Sequence, residues 1–183
     1  MVALINRAGK VFVAERIDTP GAWQMPQGGI DKGEDPYPAA LRELAEETGV
    51  TSVSLIAEAP KWLTYDLPPD VAKSAWKGKY RGQTQKWFAY GFVGSEDLID
   101  VLRPGGGAHK AEFDAWRWSP YWIPLDVVID FKREVYELAL SELARFLTQG
   151  PRLLLMPWGT PIIGPRPGRA PRKTSRKPLK DIS

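Results

Sequence analysis

The chain has 183 residues, 43% of them hydrophobic, and a formal net charge of +3, which fits one globular domain with a substantial core. It contains no cysteine and a single histidine, His109, which excludes disulfides, thiolate metal sites, a cysteine nucleophile and a histidine metal cluster. Any metal ion bound by this chain must therefore be held by oxygen ligands.

The chain begins with a predicted hairpin and continues into a predicted helix. Val2–Ile5 and residues 11–15 are apolar runs that flank a turn at residues 6–9, a pattern typical of two paired strands. Residues 35–48 are predicted to be helical, because Pro36 suits the first turn and Gly49 suits a left-handed cap. The buried side of this helix is expected to contain Ala39, Ala40, Leu41 and Leu44.

Further strands and a second helix follow. The apolar and aromatic runs at 53–57, 62–65, 85–93 and 116–118 have the composition of strands. Residues 131–147 are predicted to be helical, because apolar residues recur there at helical spacing, namely Phe131, Val135, Leu138, Ala139, Leu143, Phe146 and Leu147. Strands before, between and after two helices predict a mixed α/β domain over residues 1–150, with helices packed on a sheet.

Residues 151–183 differ in composition from the rest. Eight basic residues and one acidic residue give this tail a charge of +7, which leaves −4 for residues 1–150. The tail is rich in Pro and Gly and has few large apolar side chains after Ile163, so it is predicted to be mostly disordered. A solvated tail and a basic arm that contacts RNA or another protein both fit this composition.

The sequence contains no pattern that indicates membrane targeting. Residues 1–6 are too short and too quickly interrupted to form a signal peptide, and no apolar run approaches the roughly 20 residues that span a bilayer. We therefore expect a cytoplasmic protein with no membrane partner.

Three glutamates share one face of the first predicted helix. Glu43, Glu46 and Glu47 lie at i, i+3 and i+4, so their carboxylates stand about one turn apart. Like charges at this spacing destabilise a helix by about 0.2–0.5 kcal/mol per pair and resist simultaneous ionisation unless a cation lies among them. The pattern predicts a site for Mg²⁺ or Mn²⁺, which prefer oxygen ligands. The alternative is a solvated acidic face on which Arg42 pairs with Glu46.

The loop before this helix favours the metal site over the solvated face. It has the sequence QGGIDKGE at residues 27–34. Its glycines, among them Gly28, allow backbone to approach a ligand closely and allow a sharp entry into the helix. Glu34 adds a fourth carboxylate near the helix entrance.

Residues 28–50 match every fixed position of a known motif. In order these are Gly28, five residues, Glu34, seven residues, Arg42-Glu43-Leu44, one residue, Glu46-Glu47, one residue and Gly49-Val50. The segment resembles the complete Nudix box. The resemblance implies the Nudix fold, a mixed sheet sandwiched between helices, and hydrolysis of a nucleoside diphosphate linked to a further group.

Outside the box, residues 2–148 resemble one branch of that family, the bacterial RNA pyrophosphohydrolases and their relatives that hydrolyse diadenosine polyphosphates. The segments that carry the resemblance are WQMPQGGI at 23–30, WLTYDLP at 62–68, GQTQKWF at 82–88, EFDAWRW at 112–118 and FKREVY at 131–136. In the family a Tyr-Arg-Pro type segment usually precedes the first strand, and its arginine can help hold the substrate. Here the sequence opens at MVAL, so either it starts late or that contact is absent, and substrate preference is in question.

The resemblance implies roles for named residues. Glu43, Glu46, Glu47 and the additional acid Glu112 are implied as catalytic and metal-binding residues, with Mg²⁺ or Mn²⁺ as the cofactor. The positions implied to contact substrate are Arg16, Gln27, Phe131 and Lys132, of which Arg16 and Lys132 would contact phosphate. For Phe131 the alternative is a core position at the start of an amphipathic helix.

Three functions fit these patterns. The first is an RNA pyrophosphohydrolase that converts 5′-triphosphorylated or diphosphorylated RNA to a 5′-monophosphate. The second keeps the same metal site but acts on a dinucleoside polyphosphate such as diadenosine tetraphosphate. The third is a nucleotide-binding module without catalysis, against which the intact set of box glutamates argues. The basic tail favours RNA over the free dinucleotide, because basic segments can follow an RNA backbone.

Overall fold

The structure, a computed structural model, describes residues 1–74 and 79–149. In these residues the strands are β1 (Val2–Ile5), β2 (Val11–Arg16), β3 (Trp23–Gln24), β4 (Val53–Glu58), β5 (Leu63–Asp66), β6 (Gly82–Gln85), β7 (Phe88–Phe92) and β8 (Phe113–Ser119). The helices are α1 (Pro36–Thr48), α2 (Pro69–Ser74), α3 (Pro104–Gly107), α4 (Pro124–Val127) and α5 (Arg133–Gln149). Short 3₁₀ turns lie at Glu96–Leu98 and Asp130–Lys132.

Six strands form one mixed sheet. β1 pairs in parallel with β7 and antiparallel with β2, and β4 extends the sheet beyond β7. β8 pairs along one edge of β2, while β1 and β3 share the other edge, because Val11 pairs with Ile5 and Ala14 pairs with Gln24. The chain therefore leaves β3 at the centre of the sheet and enters directly the loop that precedes α1.

Alternating side chains of the central strands supply two separate cores, one on each face of the sheet. Ala3 and Ile5 of β1 pack in the core that contains the buried side of α5, whereas Val2 and Leu4 pack in the core that contains Leu44 of α1. This alternation follows from the period of two in a strand. The sheet is thus sandwiched between α1 and α5, and the predicted α/β/α architecture is confirmed.

β5 and β6 form a separate two-stranded antiparallel sheet, called the β5–β6 ribbon below. Tyr65 and Leu63 attach the ribbon to the core on the α5 side. Thr64 and Thr84 point the other way, where their hydroxyls are hydrogen bonded at 2.9 Å. Gly82 is required in this ribbon, since a Cβ atom there would lie 2.1 Å from the carbonyl oxygen of Tyr65.

Most predicted elements are present, with several differences. The run at 85–93 is divided between β6 and β7, because the chain crosses from the ribbon to the main sheet at residues 86–87. The strand predicted at 116–118 extends over Phe113–Ser119, and the two-residue strand β3 was not predicted. The hairpin and the first helix are confirmed, the latter with Gly49 in the left-handed region at φ 73°.

The second helix buries most of the apolar positions that the spacing indicates, since Val135, Ala139, Leu143 and Leu147 are all buried. Its first predicted residues form the 3₁₀ turn, and α5 begins at Arg133. Leu138 and Phe146 were counted with the apolar positions but are 51% and 43% exposed, whereas Tyr136 and Leu140 are fully buried. The buried side of α5 thus extends from the predicted positions toward Tyr136 and Leu140, and it excludes Leu138 and Phe146.

No helix in residues 1–74 and 79–149 is long and apolar enough to cross a membrane. The tail at 151–183 lies outside the described residues. The domain boundary at residue 150 and the disorder of the tail stay predictions.

The two leucines of α5 provide a test of its orientation. Leu140→Ala should lower the free energy of unfolding by about 2–5 kcal/mol, because it leaves a cavity in the core. Leu138→Ala removes the same atoms from an exposed position and should cost less than about 1 kcal/mol. Urea denaturation of both variants measures the difference, and equal losses would contradict this packing.

Candidate active site

Helix α1 is held so that its glutamates face the preceding loop. Ala39, Ala40 and Leu44 are buried on the sheet side of the helix. The helix starts after Asp35, whose backbone is extended, and ends where the Gly49 N–H donates to the carbonyl oxygen of Ala45. Burial of one side fixes the rotation of the helix and turns the flank with the carboxylates toward residues 27–34.

Glu43 lies directly against Gly28. A Cβ atom at position 28 would come within 1.8 Å of the carboxyl group of Glu43, so only glycine leaves room for this side chain. Burial raises the pKa of Glu43, and the hydrogen bond from Arg42 opposes that rise. The motif therefore needs glycine at position 28, because any side chain there would collide with the carboxylate of Glu43 on α1.

Glu47 is a buried carboxylate with few compensating partners. Its side chain is only 4% exposed, and its Oε2 accepts a hydrogen bond from the backbone N–H of Gln27 at 2.9 Å. Burial raises its pKa well above the ordinary value, and the negative charges of Glu112 and Glu43 raise it further. A positive charge placed beside Glu47 would stabilise its ionised form.

Arg42 binds the other carboxylates together. It donates to both oxygens of Glu34 at 3.0 and 2.8 Å, to Glu43 at 2.9 Å and to Glu46 at 3.3 Å. It also donates to the carbonyl oxygen of Gly29 at 2.9 Å. These bonds lower the pKa of Glu34 to about 2 and raise the pKa of Arg42. The predicted pairing of Arg42 with Glu46 is present, within a larger network that also fixes the loop.

Glu112, from outside the motif, reaches the same region through an irregularity in the sheet. The register of β2 and β8 shifts between Glu15 and Arg16, so that Arg16 pairs with Phe113. Arg16 then lies 3.9 Å from Glu112 and bonds mainly to Asp18. Such a bulge re-aims side chains beside a site, and here it brings Glu112 close enough to raise the pKa values of Glu43 and Glu47.

Lys132 approaches the site from the opposite layer of the fold. Its ammonium group donates to Oε1 of Gln27 at 3.3 Å, across 105 residues of sequence. Burial lowers the pKa of Lys132 to about 8, and the positive charge of Arg16 contributes to the decrease. Arg16 and Gln27 thus line the same cleft as Glu43, and Lys132 is bonded to Gln27, although contact of these residues with substrate stays a prediction.

Phe131 packs in the core and also lines a cavity, so it occupies both of the environments that the sequence left open, a core position and a position open to a ligand. It is partly buried against the α5-side core and lies 5.9 Å from the ring of Tyr65. It also lines a cavity of about 130 Å³ together with Trp23, Arg16 and Lys132. Phe131 is therefore placed to contact a ligand while its other side packs against protein.

A larger cleft of about 740 Å³ adjoins the acidic flank of α1. Arg16, Gln27, Glu43 and Glu112 line it. Its far wall contains residues of the ribbon to which no role was assigned from the sequence, namely Tyr80, Gly82, Gln83, Thr84, Gln85 and Lys86. The signal that could have indicated them was the alternation of two glutamines in GQTQ, which places both on one face of a strand.

The donor chemistry of this site fits a hard divalent cation. Within residues 1–74 and 79–149 no three Asp, Glu or His side chains are already grouped as ligands of one metal ion. Glu43 and Glu46 are instead bonded to Arg42, and Glu47 to a backbone amide. The acids are nevertheless concentrated on one flank, and Glu47 is buried with no ion pair among the residues that the structure describes. Carboxylate oxygen is the ligand that Mg²⁺ and Mn²⁺ prefer.

A comparison with models of protein families identifies the family of this chain. The NUDIX domain matches residues 1–139. The chain belongs to the Nudix family. It is therefore an enzyme of the class that hydrolyses pyrophosphate bonds, and Nudix hydrolases use divalent cations.

Curated relatives of high identity support this membership. A protein of Azorhizobium caulinodans named RNA pyrophosphohydrolase is 58% identical over 151 residues, which cover 79% of this chain and 90% of that relative. A protein of Rhodopseudomonas palustris with the same name is 53% identical over 150 residues, covering 79% of this chain and 89% of the relative. The chain thus spans most of the length of these bacterial relatives.

Solved structures share the fold of this Nudix hydrolase at much lower identity. The E. coli dihydroneopterin triphosphate pyrophosphohydrolase has a TM-score of 0.58 and 18% identity, covering 76% of this chain and 93% of that structure. A binary complex of the C. elegans Ap4A hydrolase has a TM-score of 0.55 and 20% identity, covering 81% and 95%. At these identities the likeness shows the fold alone.

The contact between Gly28 and Glu43 predicts a selective loss of activity. Gly28→Ala should be tolerated by the fold, since the new methyl group meets only the end of a flexible side chain, but it must displace the carboxylate of Glu43. We expect hydrolysis to fall by about 100-fold, the scale of one misplaced catalytic group, with little change in melting temperature. Gly29→Ala is the control, because a Cβ atom at position 29 meets nothing within 4 Å. Equal activity of the two variants would refute this role of Gly28.

Proposed function

We propose that the chain is an RNA pyrophosphohydrolase that removes pyrophosphate, or successive phosphates, from 5′-triphosphorylated or diphosphorylated RNA and leaves a 5′-monophosphate. The observation that carries the proposal is the convergence of Glu43 of α1, Glu112 and Arg16 at one cleft, with Lys132 bonded to Gln27 in the wall of that cleft. Carboxylates for a cation and basic groups for phosphate are what hydrolysis of a phosphoric anhydride requires. The names of the bacterial relatives support RNA as the substrate.

The proposed metal ligands are Glu43, Glu46, Glu47 and Glu112, with Mg²⁺ or Mn²⁺ as the cation. A bound divalent cation supplies neutralisation of phosphate charge and lowers the pKa of an attacking water. To act as ligands, Glu43 and Glu46 must exchange their bonds with Arg42. Arg42 keeps two bonds to Glu34 and one to Gly29, so the loop can stay fixed during that exchange.

The remaining steps are assigned to side chains of the chain itself. One of the four glutamates accepts the proton of the attacking water. Arg16 and Lys132 offset the charge on the phosphates as the bond to the leaving group weakens. Lys132 is held on Gln27, and its partial burial strengthens its interaction with an anion, because a desolvated charge is weakly screened. Phe131 contacts the 5′ nucleotide in the small cavity beside Lys132.

A dinucleoside polyphosphate hydrolase is the second candidate. It needs the same carboxylates and basic groups, and the large cleft beyond Glu43 offers space for a nucleotide. Cytoplasmic location and contact of the basic tail with RNA are further predictions that accompany the RNA assignment.

The direct test is a matched assay of phosphate release from 5′-triphosphorylated RNA and from diadenosine tetraphosphate at equal concentrations, first with Mg²⁺ and then with Mn²⁺. The proposal expects the higher kcat/KM on RNA, with 5′-monophosphate ends as product. A higher kcat/KM on the dinucleotide under both metals would transfer the assignment to the second candidate.

Glutamine substitutions test the chemistry independently of the substrate. Glu46→Gln and Glu47→Gln keep the shape of the side chain and remove the charge that a cation needs. Each should lower kcat by at least about 100-fold at saturating metal, in line with the loss of a catalytic group. Exposed Glu142, which pairs with Arg145 on α5, offers a matched control as Glu142→Gln. Near wild-type turnover of the Glu46 and Glu47 variants would refute the assignment.

Lys132 predicts a dependence on pH. Because its pKa is about 8 in the free protein, kcat/KM should fall as the pH rises through 8, where the ammonium group loses its charge. Lys132→Arg keeps the charge and should move this fall to higher pH. Stability follows the opposite trend: between about pH 8 and 10.5 the unfolded chain keeps the proton that the folded protein has lost, so the free energy of unfolding should rise with pH, and Lys132→Met should abolish that rise. Identical pH profiles of the wild type and Lys132→Arg would contradict this role.

A further inference from the structure

The cavity of about 130 Å³ beside Phe131 has charged side chains of one sign only in the described part of its wall. These are Arg16 and Lys132, and no acidic residue accompanies them there. Residues 1–150 as a whole nevertheless carry a formal charge of −4. This small cavity is therefore a basic site on an acidic domain, and its charge favours an anionic ligand.

A third cation, Arg117, lies against one wall of the small cavity. Its guanidinium carbon lies 4.1 Å from the centroid of the Trp23 ring, and Trp23 lines the cavity. The register of the sheet produces this contact. Arg117 on β8 pairs with Val13, and Trp23 on β3 pairs with Glu15, so the two side chains lie on the same face of the sheet, on either side of β2.

The stacking of Arg117 on the ring leaves its hydrogen-bond donors available. A guanidinium group that stacks on an aromatic ring uses its planar face, whereas its N–H donors lie in the plane and point outward. Among the described residues, Arg117 forms neither an ion pair nor a side-chain hydrogen bond. Arg133 at the start of α5, by contrast, is paired with Asp126 at 3.4 Å. Arg117 is thus an exposed cation that a ring holds in place and that no described carboxylate neutralises.

We infer that Arg117 binds the phosphodiester that links the first and second nucleotides of an RNA substrate. The inference rests on the proposed function, which puts the 5′ nucleotide against Phe131 in the small cavity. RNA that continues past the wall formed by Trp23 presents its next phosphate at the rim, where the guanidinium fork of Arg117 matches two oxygens of one phosphate. Arg117 is then a residue that distinguishes RNA from a free nucleotide.

A packing role for Arg117 makes a different prediction from a role in phosphate binding. If Arg117 only held the ring of Trp23, its loss would deform the wall of the cavity and weaken every ligand there, including a free nucleotide. Binding of a phosphodiester affects only ligands that contain one. ATP carries the same triphosphate and first nucleoside as triphosphorylated RNA but has no phosphodiester, so it separates the two roles.

The first experiment measures kcat/KM for the 5′-triphosphorylated dinucleotide of adenosine, with ATP as a competitive inhibitor of the same reaction. Arg117→Met keeps an apolar chain over Trp23 and removes the guanidinium group. Its kcat/KM should fall about 10-fold, the size of one lost hydrogen-bonded contact. The inhibition constant of ATP and the melting temperature should stay close to those of the wild type. Arg145→Met is the matched control, because it removes an exposed arginine toward the other end of α5.

Binding of the reaction product tests the inference without turnover. Fluorescence anisotropy of a 3′-labelled RNA with a 5′-monophosphate gives Kd at several salt concentrations in the presence of Mg²⁺. Arg117→Met should raise Kd about 10-fold and lower the slope of log Kd against log salt by about 0.7, the value for one phosphate contact to a single strand. Arg117→Lys keeps the charge but lacks the fork, so it should restore the slope and only part of the affinity.

The outcomes separate this inference from the proposed function. Equal losses of dinucleotide turnover and of ATP affinity in Arg117→Met would assign Arg117 to the packing of Trp23 and overturn the inference. Unchanged turnover of the dinucleotide would also overturn it, while hydrolysis of triphosphorylated RNA leaves the proposed function intact. Product binding and a salt slope that depend on Arg117, in an enzyme that releases nothing from triphosphorylated RNA, would support the contact and refute the proposed function.

Discussion

The crowding of carboxylates on one flank of α1 is the constraint on which the rest of the site depends. Glu43, Glu46 and Glu47 repel one another along the helix, and burial raises the cost for Glu43 and Glu47. Arg42 offsets part of this repulsion, because its guanidinium group donates hydrogen bonds to three carboxylates and a backbone carbonyl. Concentrating acids in this way lowers the stability of the helix, so the arrangement is best explained by a cationic ligand that binds among them.

Both layers of the sandwich hold the loop that faces these acids. On one side, Arg42 of α1 bonds to the carbonyl oxygen of Gly29. On the other, the buried hydroxyl of Tyr136 in α5 accepts the N–H of Met25 at 3.3 Å, and β1 contributes a bond from the Val2 N–H to the carbonyl oxygen of Pro26. The loop is thus anchored before and after Gly28. This anchoring explains why an irregular segment can present Gly28 and the Gln27 amide at fixed distances from helix carboxylates.

Local spacing was sufficient to predict the parts of the site that share one helix. The i, i+3, i+4 positions of the glutamates, the Gly49 cap and the Arg42–Glu46 pair all follow from the geometry of α1. The same reasoning found the centre of the buried face of α5 but not its edges, because apolar Leu138 and Tyr136 flank that centre on opposite sides and only packing against the core decides which of them is buried. Contacts such as Lys132–Gln27 connect residues far apart in the sequence, and only the family resemblance pointed to them. Nothing in the spacing indicated that β6 leaves the main sheet and forms a wall of the cleft.

The position of Arg16 bears on both candidate substrates, the 5′-phosphorylated RNA and the dinucleoside polyphosphate. The bulge between β2 and β8 places this side chain between a small cavity and a much larger cleft, beside Glu112. A substrate with nucleotide on one side only would use the small cavity for recognition and the large cleft for departing phosphate. A substrate with nucleosides on both sides would use both. Both substrates would require the same hydrolysis, because Arg16 and Glu112 lie beside the phosphate chain in either case and Glu43 lines the same cleft.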